Sequence, residues 1–204
     1  VNHVLPAWDV TAGQMLALAV LAAERHWRLS GQGQHVSLAL SNVAMATVAN
    51  LGYLADVELN GTQRSGDGNF LYGAYGDSFA CADGRHVMVV AITERQWNAL
   101  LRATGLQDAL PAAAAALGLT LDDEAGRYAA RGLISTALRP WFAARTLAEV
   151  GAAFTDRSLL WGTYRSFEQM LAEAPRCSEA TPMFRRTEHP GVGRHQVEEP
   201  GRGA

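Results

Sequence analysis

Asp9 opens a long helical pattern that runs from Val10 to about Leu29. Free backbone N–H groups and the helix dipole at such a start favour negative charge. A carboxylate held there can attack an electrophilic carbonyl without first losing a proton, or it can act as a base. Aspartate is also a favoured helix cap, and spacing alone favours that plainer reading.

A second candidate lies further along. Residues 60–76 contain five glycines, Gly61, Gly66, Gly68, Gly73 and Gly76. A loop of this kind can bring backbone N–H groups close to a developing oxyanion. Its spacing matches neither a Rossmann fingerprint nor a P-loop, so the residues alone favour a flexible linker. Gly68, Asn69, Tyr72, Gly73 and Tyr75 are its substrate-contact candidates, with Asn69, Tyr72 and Tyr75 as polar groups on the loop.

The remaining reactive side chains have plain explanations. His3, six residues before Asp9, reads as an exposed residue near a chain end. His26 and His35 flank a turn, and His86 sits in a strand pattern. No Ser-His-Asp order with a nucleophile elbow is present. Arg25 and Arg28 could meet phosphates, but a solvated helix end explains them better. Trp8, Trp27, Trp97, Trp141 and Trp161 read as core or interface aromatics. Cys81 and Cys177 form no CxxC, and no histidine cluster has metal-ligand spacing, so no metal is expected.

The elements that must position these groups follow from periodicity. The helix after Asp9 is apolar nearly all round in its middle and is expected to be deeply buried. Gly31 stops it. Gln34 to Leu40 alternates as a short strand, and Ser41 can cap a helix from Asn42 to about Val57. After the glycine-rich stretch, Ser78 to Cys81 and His86 to Ala91 form a hairpin around Asp83-Gly84. Thr93 and Gln96 form a capping box for a helix that ends at Gly105. Helices are expected over 111–117, 124–142 and 147–155, a strand over 159–164, a helix over 166–174 and a last strand over 183–188. His189-Pro190-Gly191 is a turn.

This order predicts an α/β protein in two lobes. The chain has 204 residues, 49% of them hydrophobic, enough for one core or two small ones. The formal net charge of -3 excludes a polybasic arm for nucleic acid or a membrane surface. All 17 basic residues are arginine, which reads as codon bias. The longest apolar run, Met15 to Ala23, is too short to span a membrane. No leader is visible, and two thiols fit a reducing cytoplasm. The chain begins Val1-Asn2-His3, and Glu198 to Ala204 reads as a loop that closes no element, so both ends are expected to be cut.

Three stretches together resemble the family III CoA-transferases of the CaiB/BaiF type. The first is Asp9, Gly13, and Leu21-Ala22-Ala23-Glu24-Arg25-His26 through Gly31-Gln32-Gly33-Gln34. The second is Gly73-Ala74-Tyr75 with Phe79, Asp83-Gly84 and Trp97. The third is Leu159 to Tyr164, then Pro182-Met183-Phe184 and His189-Pro190-Gly191-Val192-Gly193. The resemblance implies a catalytic aspartate at Asp9 and a glycine-containing loop that shields the aspartyl intermediates. It implies a large nucleotide-fold-like domain, a small α+β domain and an interlocked homodimer. Residues 1–60 would be a fragment of the large domain, 61–76 a linker or loop, 77–165 the small domain and 166–204 a return toward the large one. The N-terminal lobe that supplies much of the CoA pocket, and a closing C-terminal segment, would lie outside this chain.

Val1 to Asp9, Gly68 to Ala74 and Ala91-Ile92-Thr93 look most like a family member that moves CoA within one molecule. This implies transfer between the C1 and C4 carboxyl groups of 2-methylfumaryl-CoA (mesaconyl-CoA). The cofactor would be none beyond CoA carried as the substrate thioester. Other readings stay open: another family III CoA-transferase, an α-methylacyl-CoA racemase-type enzyme using the aspartate as a base with a histidine partner, or a non-catalytic fragment.

Overall fold

A computed structural model describes residues 5–61, 63–64, 66–155 and 158–198. The chain forms a mixed α and β fold and divides into two compact units, Val1–Gly66 and Asp67–Ala204. The division falls inside the glycine-rich stretch.

The first unit is helical among its described residues. α1 spans Ala7–Ser30, α2 Leu40–Asn50 and α3 Tyr53–Asn60. Gly31, at φ 71°, ends α1 and returns its N–H to the Trp27 carbonyl at 2.8 Å. Glycine suits this left-handed position because it has no Cβ to clash. The expected burial of α1 is corrected, since none of its residues is buried. Leu18, Val20 and Leu21 are 66%, 59% and 64% exposed. An all-round apolar pattern shows what a helix is built to meet, and here α2 and α3 do not cover it. Val43 is the residue of α2 that becomes buried.

Two further expectations fail in this unit. Residues 34–39 are not a strand. Alternation alone does not make one, because a ladder needs a partner and the described residues of this unit contain no other strand. The single helix expected from Asn42 to Val57 is two. It starts earlier, with Ala39 rather than Ser41 at its N-cap, and Gly52 at φ 81° breaks it before α3.

The second unit holds the core. β1 (Tyr75–Ala80), β2 (His86–Ala91) and β3 (Leu160–Thr163) form an antiparallel sheet in the order β1-β2-β3. The Asp83-Gly84 turn forms as expected. Gly84 lies at φ 75°, and the Cys81 N–H reaches the Arg85 carbonyl at 2.7 Å. One face of β2, Val87, Val89 and Ala91, is fully buried. It packs under α4 (Glu94–Thr104), α5 (Ala109–Ala116), α6 (Glu124–Ala129), α7 (Arg131–Ala143) and α8 (Leu147–Ala153). The core includes Trp97, Leu100, Ile134, Leu138, Phe142 and Val150. Phe79 stacks on Phe142 with centroids 4.3 Å apart.

Caps set the helix starts. The Thr93–Gln96 capping box is present, and equivalent boxes start α8 at Thr146–Glu149 and α9 (Phe167–Glu173) at Ser166–Gln169. The expected 124–142 helix divides at Ala130 into α6 and α7. β4 (Phe184–His189) pairs with β5 (Gly193–Glu198) across the expected turn at Gly191. β5 was not foreseen. Glu198, expected to lie in a closing loop, ends this strand, and residues 199–204 lie outside the described residues.

Of the five tryptophans, Trp97 is buried at 4% exposure, whereas Trp8 and Trp27 are exposed at 39% and 56%. Both cysteines are free thiols. Burial is the main cause that raises the Cys81 thiol pKa.

Candidate active site

Asp9 lies in the first turn of α1, not ahead of it. Pro6 is the N-cap and offers no side-chain cap, so the carboxylate is not spent on capping in the way the plain reading expected. Its side chain is exposed. An acidic group in the first turn still experiences the positive end of the helix dipole. His3 lies outside the described residues. His26 and His35 are exposed, and Arg28 pairs with Glu24 one turn earlier.

The loop candidates belong to the second unit. Gly68 and Gly73 take left-handed φ values of 61° and 76°. Each sits in a tight turn. The Phe70 N–H meets the Asp67 carbonyl at 3.1 Å, and the Leu71 N–H meets the Gly76 carbonyl at 2.9 Å. A side chain added at Gly76 would lie 2.9 Å from the Leu71 Cβ, so that close approach requires glycine. Asn69 donates from Nδ2 to Ser78 Oγ at 3.0 Å. Tyr72 is 48% exposed and meets Tyr128 edge-on at 5.2 Å. These bonds make the segment a defined loop rather than a slack linker.

Tyr75 is corrected. It lies on β1 instead of the loop, is fully buried, and hydrogen-bonds Ser135 at 3.1 Å. Burial pushes its phenol well above the ordinary tyrosine range. It also packs edge-on against Trp97. Its position is that of a core residue.

The sequence reading missed the anchor of the loop. Asp67 accepts hydrogen bonds from the Tyr128 hydroxyl at 2.7 Å and from Arg131 Nη2 at 3.1 Å. The Arg131 guanidinium lies over the Tyr128 ring at 4.2 Å. The available signal was an aspartate between Gly66 and Gly68, but its partners are more than sixty residues away.

Among the described residues, no group of three or more His, Cys, Asp or Glu side chains could hold a metal ion. None of their helices is long and apolar enough to cross a membrane.

The mixed α and β fold is the class expected from the resemblance. The chain belongs to CoA-transferase family III, whose profile matches residues 1–202. It is 51% identical over 193 residues to a 2-methylfumaryl-CoA isomerase of Chloroflexus aurantiacus, covering 95% of this chain and 47% of that protein. The chain thus spans about half the length of that relative. Among solved structures it is similar to Rv3272 from Mycobacterium tuberculosis, with TM-score 0.71 and 22% identity, covering 99% of this chain and 50% of that one. A CAIB/BAIF family protein from Brucella suis gives TM-score 0.70 at 18% identity, covering 100% and 50%. These two likenesses concern the fold.

Proposed function

We propose that the chain is part of an enzyme that moves CoA between the C1 and C4 carboxyl groups of 2-methylfumaryl-CoA, with Asp9 as its nucleophile. The observation that carries this reading is the 51% identity over 193 residues to a 2-methylfumaryl-CoA isomerase. The exposed carboxylate of Asp9 in the first turn of α1 supports it.

The chemistry follows from the groups. An Asp9 carboxylate oxygen attacks the C1 thioester carbonyl and expels CoA thiolate, giving a mixed anhydride. The thiolate attacks the aspartyl carbonyl of that anhydride. This forms an Asp9–CoA thioester and frees the C1 carboxylate. The C4 carboxylate then attacks the aspartyl thioester and expels the thiolate. In the last step the thiolate attacks the C4 acyl carbonyl, and Asp9 leaves as a carboxylate. Every step exchanges one acyl bond for another, so no net proton, electron or metal is required.

Gly68, Asn69, Tyr72 and Gly73 are the substrate contacts in this reading. Their support is a loop fixed at Asp67 and at Gly76 rather than free to drift. Fixed donors lower a barrier because they need no reorganisation when charge develops. Residues 1–60 belong to a large domain, 77–165 to a small one, and 166–204 lead back to the large one. The working form is a homodimer in the cytoplasm, a location consistent with two free thiols.

The test uses the complete enzyme with 2-methylfumaryl-CoA and hydroxylamine, followed by peptide mass mapping. A hydroxamate on Asp9 is expected. Labelling elsewhere, with Asp9 untouched, would overturn the assignment.

A further inference from the structure

Ser78 on β1 and His86 on β2 lie on the face of the sheet opposite the helical core, since their neighbours Phe79 and Val87 point into that core. A cavity of about 350 Å³ opens on this side. Its walls include Asn69, Ser78, Arg85, His86, Tyr164 and Arg165. We propose that this cavity is a binding site for an oxyanion, either a carboxylate or a phosphate group.

The charges favour an anion. Arg85 forms a two-point pair with Glu173, at 3.0 and 2.8 Å. Arg165 Nε reaches the same carboxylate at 3.2 Å. Two guanidinium groups therefore share one carboxylate, and Asp83, a second anion acting on Arg85, is not among the residues of the cavity walls. Arg85 Nε is buried and, among the described residues, has no hydrogen-bond partner. Arg165 commits its Nε–H to Glu173, and a guanidinium carries further N–H groups in a planar fork that suits carboxylate and phosphate oxygens. The Tyr164 hydroxyl is directed at the Met88 sulfur 3.8 Å away, a weak acceptor that an oxyanion displaces readily.

The cavity also touches the loop of the proposed active site. Asn69 lines it and is tied to Ser78 Oγ. An anion held here therefore bears on the Gly68–Gly73 segment. The source of the anion rests on the acyl-CoA reading, because such a substrate offers both a free acyl carboxylate and the phosphates of CoA. The site itself rests on the side chains alone.

The experiment is an NMR titration of the full chain, following amide, Arg Nε and histidine signals. The probes are inorganic phosphate, mesaconate, CoA and dephospho-CoA. Saturable shifts are expected at Asn69, His86 and Arg165. Arg165→Gln should weaken binding about tenfold, whereas Glu173→Gln, which removes the counter-charge, should tighten it by about threefold. A variant that merely damages the fold cannot tighten binding, so the opposite signs separate charge from folding. Saturation by mesaconate would identify the acyl carboxylate as the source. Saturation by CoA but not by dephospho-CoA would identify its 3′-phosphate. The proposal is overturned if neither phosphate nor carboxylate saturates, if Arg165→Gln binds like the parent, or if Glu173→Gln weakens binding. Anion binding without thioester exchange in the complete enzyme would instead overturn the acyl-CoA reading and leave the site standing.

Discussion

The Tyr128 hydroxyl donates to the Asp67 carboxylate at 2.7 Å, joining the end of α6 to the start of the glycine loop. The bond is the first cause of a raised Tyr128 pKa, because ionising the phenol would place two negative oxygens together. Asp67→Asn should lower that pKa toward the ordinary tyrosine value. The difference in phenolate absorbance between the protein and its Tyr128→Phe variant, followed against pH, reads it. A folded pKa above the unfolded one stabilises the fold at lower pH, and that contribution is lost as pH rises through the folded value. The same variant should speed hydrogen exchange at the Phe70 and Leu71 amides. Unchanged exchange would show that the loop does not depend on Asp67.

Asp9 supplies a second prediction. In the complete enzyme, Asp9→Ala and Asp9→Asn should each lower kcat by about 10⁴-fold or more, as expected when a covalent nucleophile is removed. CoA binding should change little, because the carboxylate acts on the carbonyl rather than on the carrier. Isomerisation assayed by separating the two thioesters gives kcat, and a variant retaining full turnover would exclude the nucleophile role.

The two units should answer mutation differently. Phe142 is fully buried and stacks on Phe79. Phe142→Ala should cost about 3–5 kcal/mol, through lost burial and the cavity left behind. Leu18, 66% exposed on α1, should cost less than about 0.5 kcal/mol when replaced by alanine in this chain. Urea unfolding of both variants decides it. A large loss from Leu18→Ala would mean that α1 is covered in solution.

What could be foreseen in the sequence was local. Asp83-Gly84 between apolar runs carries its own turn, and Thr93 with Gln96 carries its own cap, so both are visible within a few residues. The Gln34–Leu40 alternation failed because a strand depends on a neighbour that the pattern does not encode. Tyr75 resembled a loop residue by its glycine neighbours, yet its place is set by Ser135, sixty positions away. Asp67 and Arg85 were overlooked for the same reason, since Glu173 lies eighty-eight positions from Arg85. Asp9 was legible as a residue of interest, but its position inside the first turn depends on Pro6 taking the cap. Its proposed chemistry came from ordered resemblance across the chain, not from spacing.

Acid should loosen the attachment of α9. Glu173 has a lowered pKa, first because Arg85 hydrogen-bonds its charged form. A depressed folded pKa means that the stabilising contribution is present above the unfolded value, about 4.3, and fades as pH falls through the folded one. Glu173→Gln should therefore flatten the fall in stability between about pH 5 and pH 3. Thermal melts of parent and variant across that range provide the measurement, and parallel curves would show that the pair carries no pH dependence.

The last prediction concerns the 204-residue chain taken alone. Its first unit exposes Leu16, Leu18, Val20, Leu21 and Trp27 on one helix. Contiguous apolar surface of this kind drives association, because each buried Å² of it stabilises contact by about 25 cal/mol. The chain should therefore self-associate, and Leu18→Glu with Leu21→Glu should reduce this without disturbing the core of the second unit. The catalytic expectation runs alongside. The chain spans 47% of the length of the isomerase it matches. A nucleophile without a positioned acyl group loses much of its rate advantage. The family resemblance implies that the groups that hold CoA come largely from the part outside this chain. Analytical ultracentrifugation of the chain and its double variant should show the parent heavier and the variant closer to monomer. An assay beside the complete enzyme should show no conversion of mesaconyl-C1-CoA to the C4 isomer by the chain alone. Comparable turnover would place the CoA-binding groups within these 204 residues, and a monodisperse parent would mean that α1 finds its cover inside the chain.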